Sequence, residues 1–407
     1  MRVTQTLNQL QFVAAIDALQ SNLSQTQNQI STNLSFTTPS QNPVAAGAVN
    51  GYNQALAQSK QYDTNANSAQ TRLSTEDSTL TQVQNALQSL RDLALQANSG
   101  TVSTQDRSAI AAQATQIQAS LVSLANTQDG NGEYLFSGFA TQTQPFTLNS
   151  TGATYNGDQG QRQSQIAAGQ SVADGDNGDV VFNQIKTGNG TFAATPASGN
   201  TGTGVVGAAT VVNAAAYDGQ PYSIKFSAVP PTGLVANTYT IVDSTGAAVV
   251  PAVSGTYTSG QSVAYDGLQV TITGQPAIND TISVAPSTNQ SVFTTVQDMV
   301  TALQSSATTP AGVAQFNNAL NGAINNIDQA LNQTSNVRSG IGGRLNAITT
   351  QLSVSSSQQI QLQTSISSLQ SLDYASAITQ LQAENTTLSA AMQAYTITQG
   401  LSLFKYL

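Results

Sequence analysis

The acidic run Asp174-Gly175-Asp176-Asn177-Gly178-Asp179 comes nearest to an ion-binding site in residue type and spacing. Asp and Asn oxygens separated by Gly can wrap a hard cation. An EF-hand loop would need a ligand where Gly178 stands, Gly where Asp179 stands, and a Glu further on, and none is present. The run therefore reads as a turn, with weak calcium binding as the alternative. Ser402 and Lys405 have the spacing of a nucleophile and its base, but no companion motif accompanies them, and coincidence is the better reading. Gly199 to Gly204 is glycine-rich without the Lys-Ser/Thr of a phosphate loop, which leaves a flexible linker.

What the chain lacks narrows the chemistry further. It has 407 residues with no Cys, His or Trp. Disulfides, thiolate zinc sites and thiol nucleophiles are excluded, and so are the usual general base and the commonest transition-metal ligand. We expect no catalytic residue, no metal site, no cofactor and no enzymatic activity. Only 8% of residues are charged, against roughly 25% in ordinary soluble domains. The net charge is −9, and the 11 Lys and Arg are too dispersed for a nucleic-acid footprint or an anionic membrane surface. Only three of the acids are Glu (Glu76, Glu133 and Glu384); many Asp sit beside Gly, as in turns. No stretch is long and apolar enough to span a bilayer. The start of the chain lacks a charged segment followed by an apolar one, so export would need a route other than a cleaved signal.

The elements that would position these residues follow from periodicity. Residues 2–34 predict a helix whose seam is Phe12, Ile16, Leu19, Leu23 and Ile30, with Thr26 and Asn33 in weaker slots. Pro39 and Pro43 break it, and Ser40 or Asn42 can cap the next helix. That helix is expected over 43–98, with Leu73, Leu80, Leu87 and Ala94 on one heptad line and Val83, Leu90 and Ala97 on the other. A third is expected over 104–127, where Thr104 with Arg107 makes no capping box. From Glu133 the pattern turns to short strands, at Tyr134–Phe139, Val180–Phe182, Tyr222–Phe226, Thr238–Val242, Leu268–Thr273 and Thr281–Val284. Asn156-Gly157, Asp218-Gly219 and Asp266-Gly267 suit hairpin turns. The Gly/Ala/Thr/Ser-rich stretch 187–210 reads as a linker or mobile loop that could split the β region in two. Helical periodicity returns with Val292, Val296, Met299 and Leu303, resumes after Pro310, and shifts register near Asp373 before Ile378, Leu381, Leu388, Met392 and Tyr395.

The expected fold is α+β and multidomain: an elongated helical coiled-coil bundle made from both termini, with an all-β region inserted at its distal end. Its two ends are nearly uncharged. Residues 1–59 carry only Arg2 and Asp17, and residues 345–407 only Asp373, Glu384 and Lys405. Coiled-coil flanks normally carry Glu and Lys. Neutral flanks can be buried in an assembly without the cost of unpaired ions. The assembly or partner interface is therefore placed on Phe12, Ile16, Leu19, Leu23, Ile30, Leu381, Leu388, Met392, Tyr395, Leu403 and Phe404.

Four segments carry a family resemblance. They are Ser31 through Ala46 with Pro39-Ser40-Gln41-Asn42-Pro43; Asn131-Gly132-Glu133-Tyr134-Leu135-Phe136-Ser137-Gly138-Phe139 with Thr143 to Phe146; Arg338-Ser339-Gly340-Ile341-Gly342-Gly343-Arg344-Leu345-Asn346; and Gly400 to Leu407. The chain resembles the bacterial flagellin-like family, and within it the hook–filament junction proteins, or flagellar hook-associated proteins 3. The second segment is the most specific, and the likeness covers roughly residues 1–190 and 260–407. Gln41-Asn42 replaces the family's usual acidic pair, and Leu34-Ser35 stands where Lys-Arg is common.

The resemblance implies a structural, non-enzymatic component of the bacterial flagellum, secreted through the flagellar type III apparatus and lying between hook and filament. It implies self-assembly into a ring or helical array. The implied partners are the other hook-associated junction protein, flagellin and a cytosolic export chaperone, without nucleic acid or membrane insertion. It assigns residues 1–42 and 346–407 to the two halves of an inner, polymerising domain, 43–139 and 291–345 to a rod domain, and 140–290 to an outer β-rich domain. A filament flagellin and a cell-surface adhesive module are the alternatives.

Overall fold

The computed structural model describes residues 2–100, 102–228, 236–305 and 307–400. These divide into two compact units. One is drawn from both ends of the chain, up to Thr64 and from Thr350, and the other spans Asn65–Thr349. The element order is helix–β–helix. The helices are α1 (Arg2–Thr32), α2 (Pro43–Ala97), α3 (Thr104–Ala125), α4 (Val292–Gln304), α5 (Pro310–Gln370) and α6 (Tyr374–Gly400).

In the terminal unit, α1 stops where Asn33 takes a left-handed φ of 57°, a helix-ending conformation that Asn tolerates. Asn42 caps α2, its Oδ1 accepting from the Ala45 amide at 3.1 Å, and Pro43 opens the helix where no N–H is needed. Gln41 closes the turn between α1 and α2, its Oε1 accepting from the Thr37 and Thr38 amides. The break after α1 pairs with the break after α5: the Ser35 amide donates to Gln370 O at 2.7 Å, over a small core of Phe36, Ala45 and Val49 with Ile366 and Leu369.

In the larger unit, both predicted heptad lines of α2 are fully buried, from Leu73 to Ala97. Polar contacts at heptad steps set the antiparallel register of α2 and α5. Asp77 pairs with Arg338 (2.8 Å), Gln84 bonds Ser335 (2.8 Å), Arg91 pairs with Asp328 (2.6 Å), and Asn98 bonds Asn321 (2.9 Å). α5 runs unbroken through Gly340, Gly342 and Gly343. The packing of Ile341 and Ile348, both wholly buried, outweighs the roughly 1 kcal/mol helical cost of each glycine. α3 does have a capping box, one residue upstream of the pair tested in sequence: Ser103 and Asp106 cap each other's backbone amides.

The strands in chain order are β1 (Phe146–Asn149), β2 (Gly152–Tyr155), β3 (Gln163–Ala167), β4 (Gln170–Ala173), β5 (Ile185–Lys186), β6 (Phe192–Pro196), β7 (Val205–Val211), β8 (Tyr222–Ser227), β9 (Thr238–Asp243), β10 (Ser254–Thr256), β11 (Ser262–Tyr265), β12 (Leu268–Thr273), β13 (Thr281–Pro286) and β14 (Asn289–Gln290). A five-stranded antiparallel sheet, β10-β9-β8-β13-β6, faces a three-stranded one, β11-β12-β7, around a core of Phe192, Ile224, Phe226, Ile241, Val270 and Ile272. β1–β2, β3–β4 and β5–β14 are separate two-stranded ribbons.

Several local expectations are corrected. Residues 187–210 are not a linker, because they supply β6 and β7. Tyr134–Phe139 is a series of turns rather than a strand. Val180–Phe182 lies in a π-helical turn, Asp179–Asn183, that buries Val181 and Phe182. Asp266-Gly267, with φ of 51° and 72°, closes the β11–β12 hairpin. Asn156-Gly157 and Asp218-Gly219 join strands that pair elsewhere.

Candidate assembly interface

The terminal helices form an antiparallel pair. Tyr374 Oη donates to Ile30 O at 3.3 Å, and at the other end the Phe12 and Tyr395 rings lie 6.3 Å apart, with Gln9 Nε2 donating to Tyr395 Oη at 3.4 Å. The seam expected from sequence lies along this pair, yet it is only half covered. Ile16, Leu19, Leu23, Ile30, Leu381, Leu388 and Tyr395 are half-buried, whereas Phe12 is 37% and Met392 44% exposed. Thr26 is the seam position that is fully buried. Leu403 and Phe404 lie outside the described residues, as do Ser402 and Lys405.

Further apolar side chains, not singled out in sequence, stand open at the Phe12–Tyr395 end. They are Leu7 (55% exposed), Leu10 (66%), Val13 and, on α6, Ile397 (64%). The spacing Leu7-Leu10-Val13 is a helical period beside the chosen seam and could have flagged them. Isolated exposed apolar residues are ordinary, whereas a row of them on paired helices is a candidate interaction surface.

The acidic loop takes a different role from the cation site weighed in sequence. Arg72 of α2, nearly buried, pairs with Asp129 at 2.6 Å and donates to Tyr134 O at 2.9 Å. Arg162 bridges Glu133 (2.7 Å) and Asp174 (2.9 Å), and Arg344 of α5 pairs with Asp176. Asp129 Oδ1 accepts from the Asn131 and Glu133 amides, which shapes the turn. Asp158 holds the end of this segment, accepting from the Phe139 and Gly160 amides, and those bonds keep its carboxyl below the usual range. Glu76 is fully buried beneath the acidic loop. It accepts from the Asp176 amide at 3.2 Å, and its Oε2 has no partner. Burial, then the neighbouring Asp176, push its carboxyl well above the ordinary range, against the pull of Arg344 and Arg72. Asp174 and Asp176 of the loop thus face guanidinium groups, while Asp179 accepts from the side-chain amides of Gln159, Asn183 and Gln184, and the arrangement is an internal brace joining α2, the 129–139 turns, β4 and α5. Among the described residues no three His, Cys, Asp or Glu side chains converge as a metal site needs, and no helix is long and apolar enough to cross a membrane.

Two family models match the chain: the bacterial flagellin N-terminal helical region over residues 3–141 and the C-terminal helical region over residues 324–407. The crystal structure of Xanthomonas campestris FlgL is 34% identical, covers 78% of this chain and 99% of that one, and superposes with a TM-score of 0.71. Flagellar hook-associated protein-3 of Legionella pneumophila is 30% identical, covers 79% and 98% of the two chains, and gives a TM-score of 0.74. The chain belongs to the flagellar hook-associated protein 3 family. The family member of Escherichia coli K12 is 36% identical over 157 residues, 39% of this chain and 49% of that one. The chain spans about half the length of the curated relatives it matches. The two family models stop short of the strands and of α4; between them they cover α1, α2, α3, α6 and most of α5, together with the Arg72 and Arg344 ends of the brace.

Proposed function

We propose that this protein is a structural, non-enzymatic component of the bacterial flagellum that joins hook to filament by self-assembly of its terminal helices. The observation that carries the reading is the half-covered α1–α6 pair. Its seam is half-buried, and the row Leu7, Leu10, Phe12, Val13, Met392 and Ile397 is exposed in the free chain. Completing the burial of such half-covered side chains stabilises an assembly by roughly 1 kcal/mol each, about half the value for full burial from water. Neutral Gln, Asn, Ser and Thr flanks let the same helices enter a dry interface without stranding charge.

In this reading residues 1–42 and 346–407 are the two halves of an inner polymerising domain. Residues 43–139 and 291–345 form the rod, and 140–290 face outward. Phe12, Ile16, Leu19, Leu23, Ile30, Leu381, Leu388, Met392, Tyr395, Leu403 and Phe404 contact neighbouring subunits or, before export, a cytosolic chaperone. The partners are further copies of the chain, the other hook-associated junction protein and flagellin. The protein leaves the cell through the flagellar export apparatus and resides between hook and filament.

The test is deletion of residues 378–407. The truncated chain should keep its central fold by circular dichroism yet fail to restore filaments to a strain lacking the full-length protein. Motile flagella built with the truncated chain would overturn the proposal.

A further inference from the structure

The β-sandwich of residues 192–284 keeps its hydrophobic core to itself. Every buried member of that core, from Phe192 to Val284, comes from its own two sheets or from the loops that join their strands. Its attachment to α5 is of another kind. Gln315 Nε2 donates to Ser198 O (3.2 Å) and Asn200 O (3.0 Å). Asn318 accepts from the Val206 amide (2.8 Å) and donates to Gly204 O (2.9 Å), and Asn321 donates to Val206 O (2.9 Å). Asn326 accepts from the Gly188 amide at 2.9 Å. Gln315, Asn318 and Asn326 share one face of α5, and every one of these bonds ends on sandwich-side backbone. No charge takes part.

Beside this row lies a groove of about 610 Å³ between β6, β7 and α5, lined among others by Phe192, Thr195, Ala209, Ala319 and Gly322. The groove is partly open to solvent, so the sandwich is not packed against α5 along its full length. The chain enters and leaves the sandwich through a narrow neck, the β5–β14 ribbon, where the Thr187 amide donates to Thr288 O at 3.0 Å. Gly188 (φ 64°) and Gly190 (φ 89°) follow directly, in backbone conformations that glycine adopts freely.

We propose that residues 188–287 form a self-folding lobe latched to α5 by this row of amides, and that the lobe swings on the β5–β14 neck when the latch opens. The latch reads backbone rather than side chains. The lobe's orientation is therefore set by Gln315, Asn318, Asn321 and Asn326, while its fold is set by its own core. Small polar interfaces of this sort are the usual setting for hinged motion.

The chain has no Cys, so paired spin labels can be placed at Ser244→Cys and Asn332→Cys, both exposed, in the full-length protein. One narrow distance distribution is expected for the labelled protein. With Gln315→Ala and Asn318→Ala added, the distribution should broaden and shift, and the Val206 amide should lose protection in hydrogen exchange. The amides of Ile224 and Ile272 should keep theirs, and Asn318→Gln should partly restore the narrow distribution. An unchanged distribution in the double variant would overturn the latch. Loss of protection at Ile224 and Ile272 would overturn the self-folding lobe.

Discussion

Replacing Arg72 by Ala tests the brace that holds the 129–139 turns. Arg72 is 6% exposed and Asp129 12%. The substitution removes a 2.6 Å ion pair and the donor to Tyr134 O, and it leaves Asp129 with only the Asn131 and Glu133 amides. Breaking a buried pair from one side costs about 3–5 kcal/mol, since the remaining charge stays desolvated. Arg162, one-third exposed, makes comparable contacts with Glu133 and Asp174 in wetter surroundings, so Arg162→Ala should cost roughly 1 kcal/mol. At roughly 2 °C per kcal/mol for a domain of this size, Arg72→Ala should lower the melting transition of the Asn65–Thr349 unit by about 6–10 °C. The chain has two compact units, so one global curve would mix their transitions. The assay is therefore urea-dependent hydrogen exchange followed at the Leu135 and Gly178 amides, which donate to Thr127 O and Phe136 O. A loss below 1 kcal/mol for Arg72→Ala, or a larger loss for Arg162→Ala, would refute the reasoning.

Three further outcomes are expected. Phe182→Ala should destabilise the larger unit by about 3–5 kcal/mol in denaturant melts, because Phe182 is wholly buried with Phe136, Phe146 and Phe293 ring centroids within 5.2–5.7 Å. Gly138→Ala should cost about 1–3 kcal/mol, read at the Phe139 amide, since Gly138 has φ of 71° and an added Cβ would strike Asp158. Glu76→Gln should change the pH profile. The folded carboxyl titrates above its unfolded range, so the stabilisation it brings is present at acidic pH and lost as pH rises through the folded value. The variant should gain on the parent in unfolding midpoint from pH 4 to pH 8, and parallel profiles would contradict the assignment.

The helices were legible because their apolar residues repeat at seven-residue steps over several turns, as in Leu73-Leu80-Leu87-Ala94, where every member is buried. Asn42 and Pro43 announced the start of α2 by ordinary capping chemistry. Val180–Phe182 was read as a strand because a short β-branched and aromatic run has no period of its own. Residues 187–210 looked like a linker because their small side chains carry no hydrophobic pattern. β7 lies where the amides of α5 satisfy its edge, and that demands little of its own side chains. The brace was illegible for another reason. Arg72, Glu133, Asp174 and Arg344 are scattered over 273 positions, and only the fold brings them together. The open row at Leu7, Leu10 and Val13 lies one step from the heptad seam on α1, and periodicity alone does not separate two adjacent apolar lines.

In the proposed function the terminal helices complete their burial only on assembly. Hydrogen–deuterium exchange of the purified chain, alone and in reconstituted assemblies, tests it most directly. Fast exchange in residues 6–30 and 375–398 of the free chain, with protection through 66–97, and strong protection of both terminal segments after assembly, is the predicted result. Terminal helices as protected in the free chain as in the assembly would contradict it and would make the pair a self-contained coiled coil.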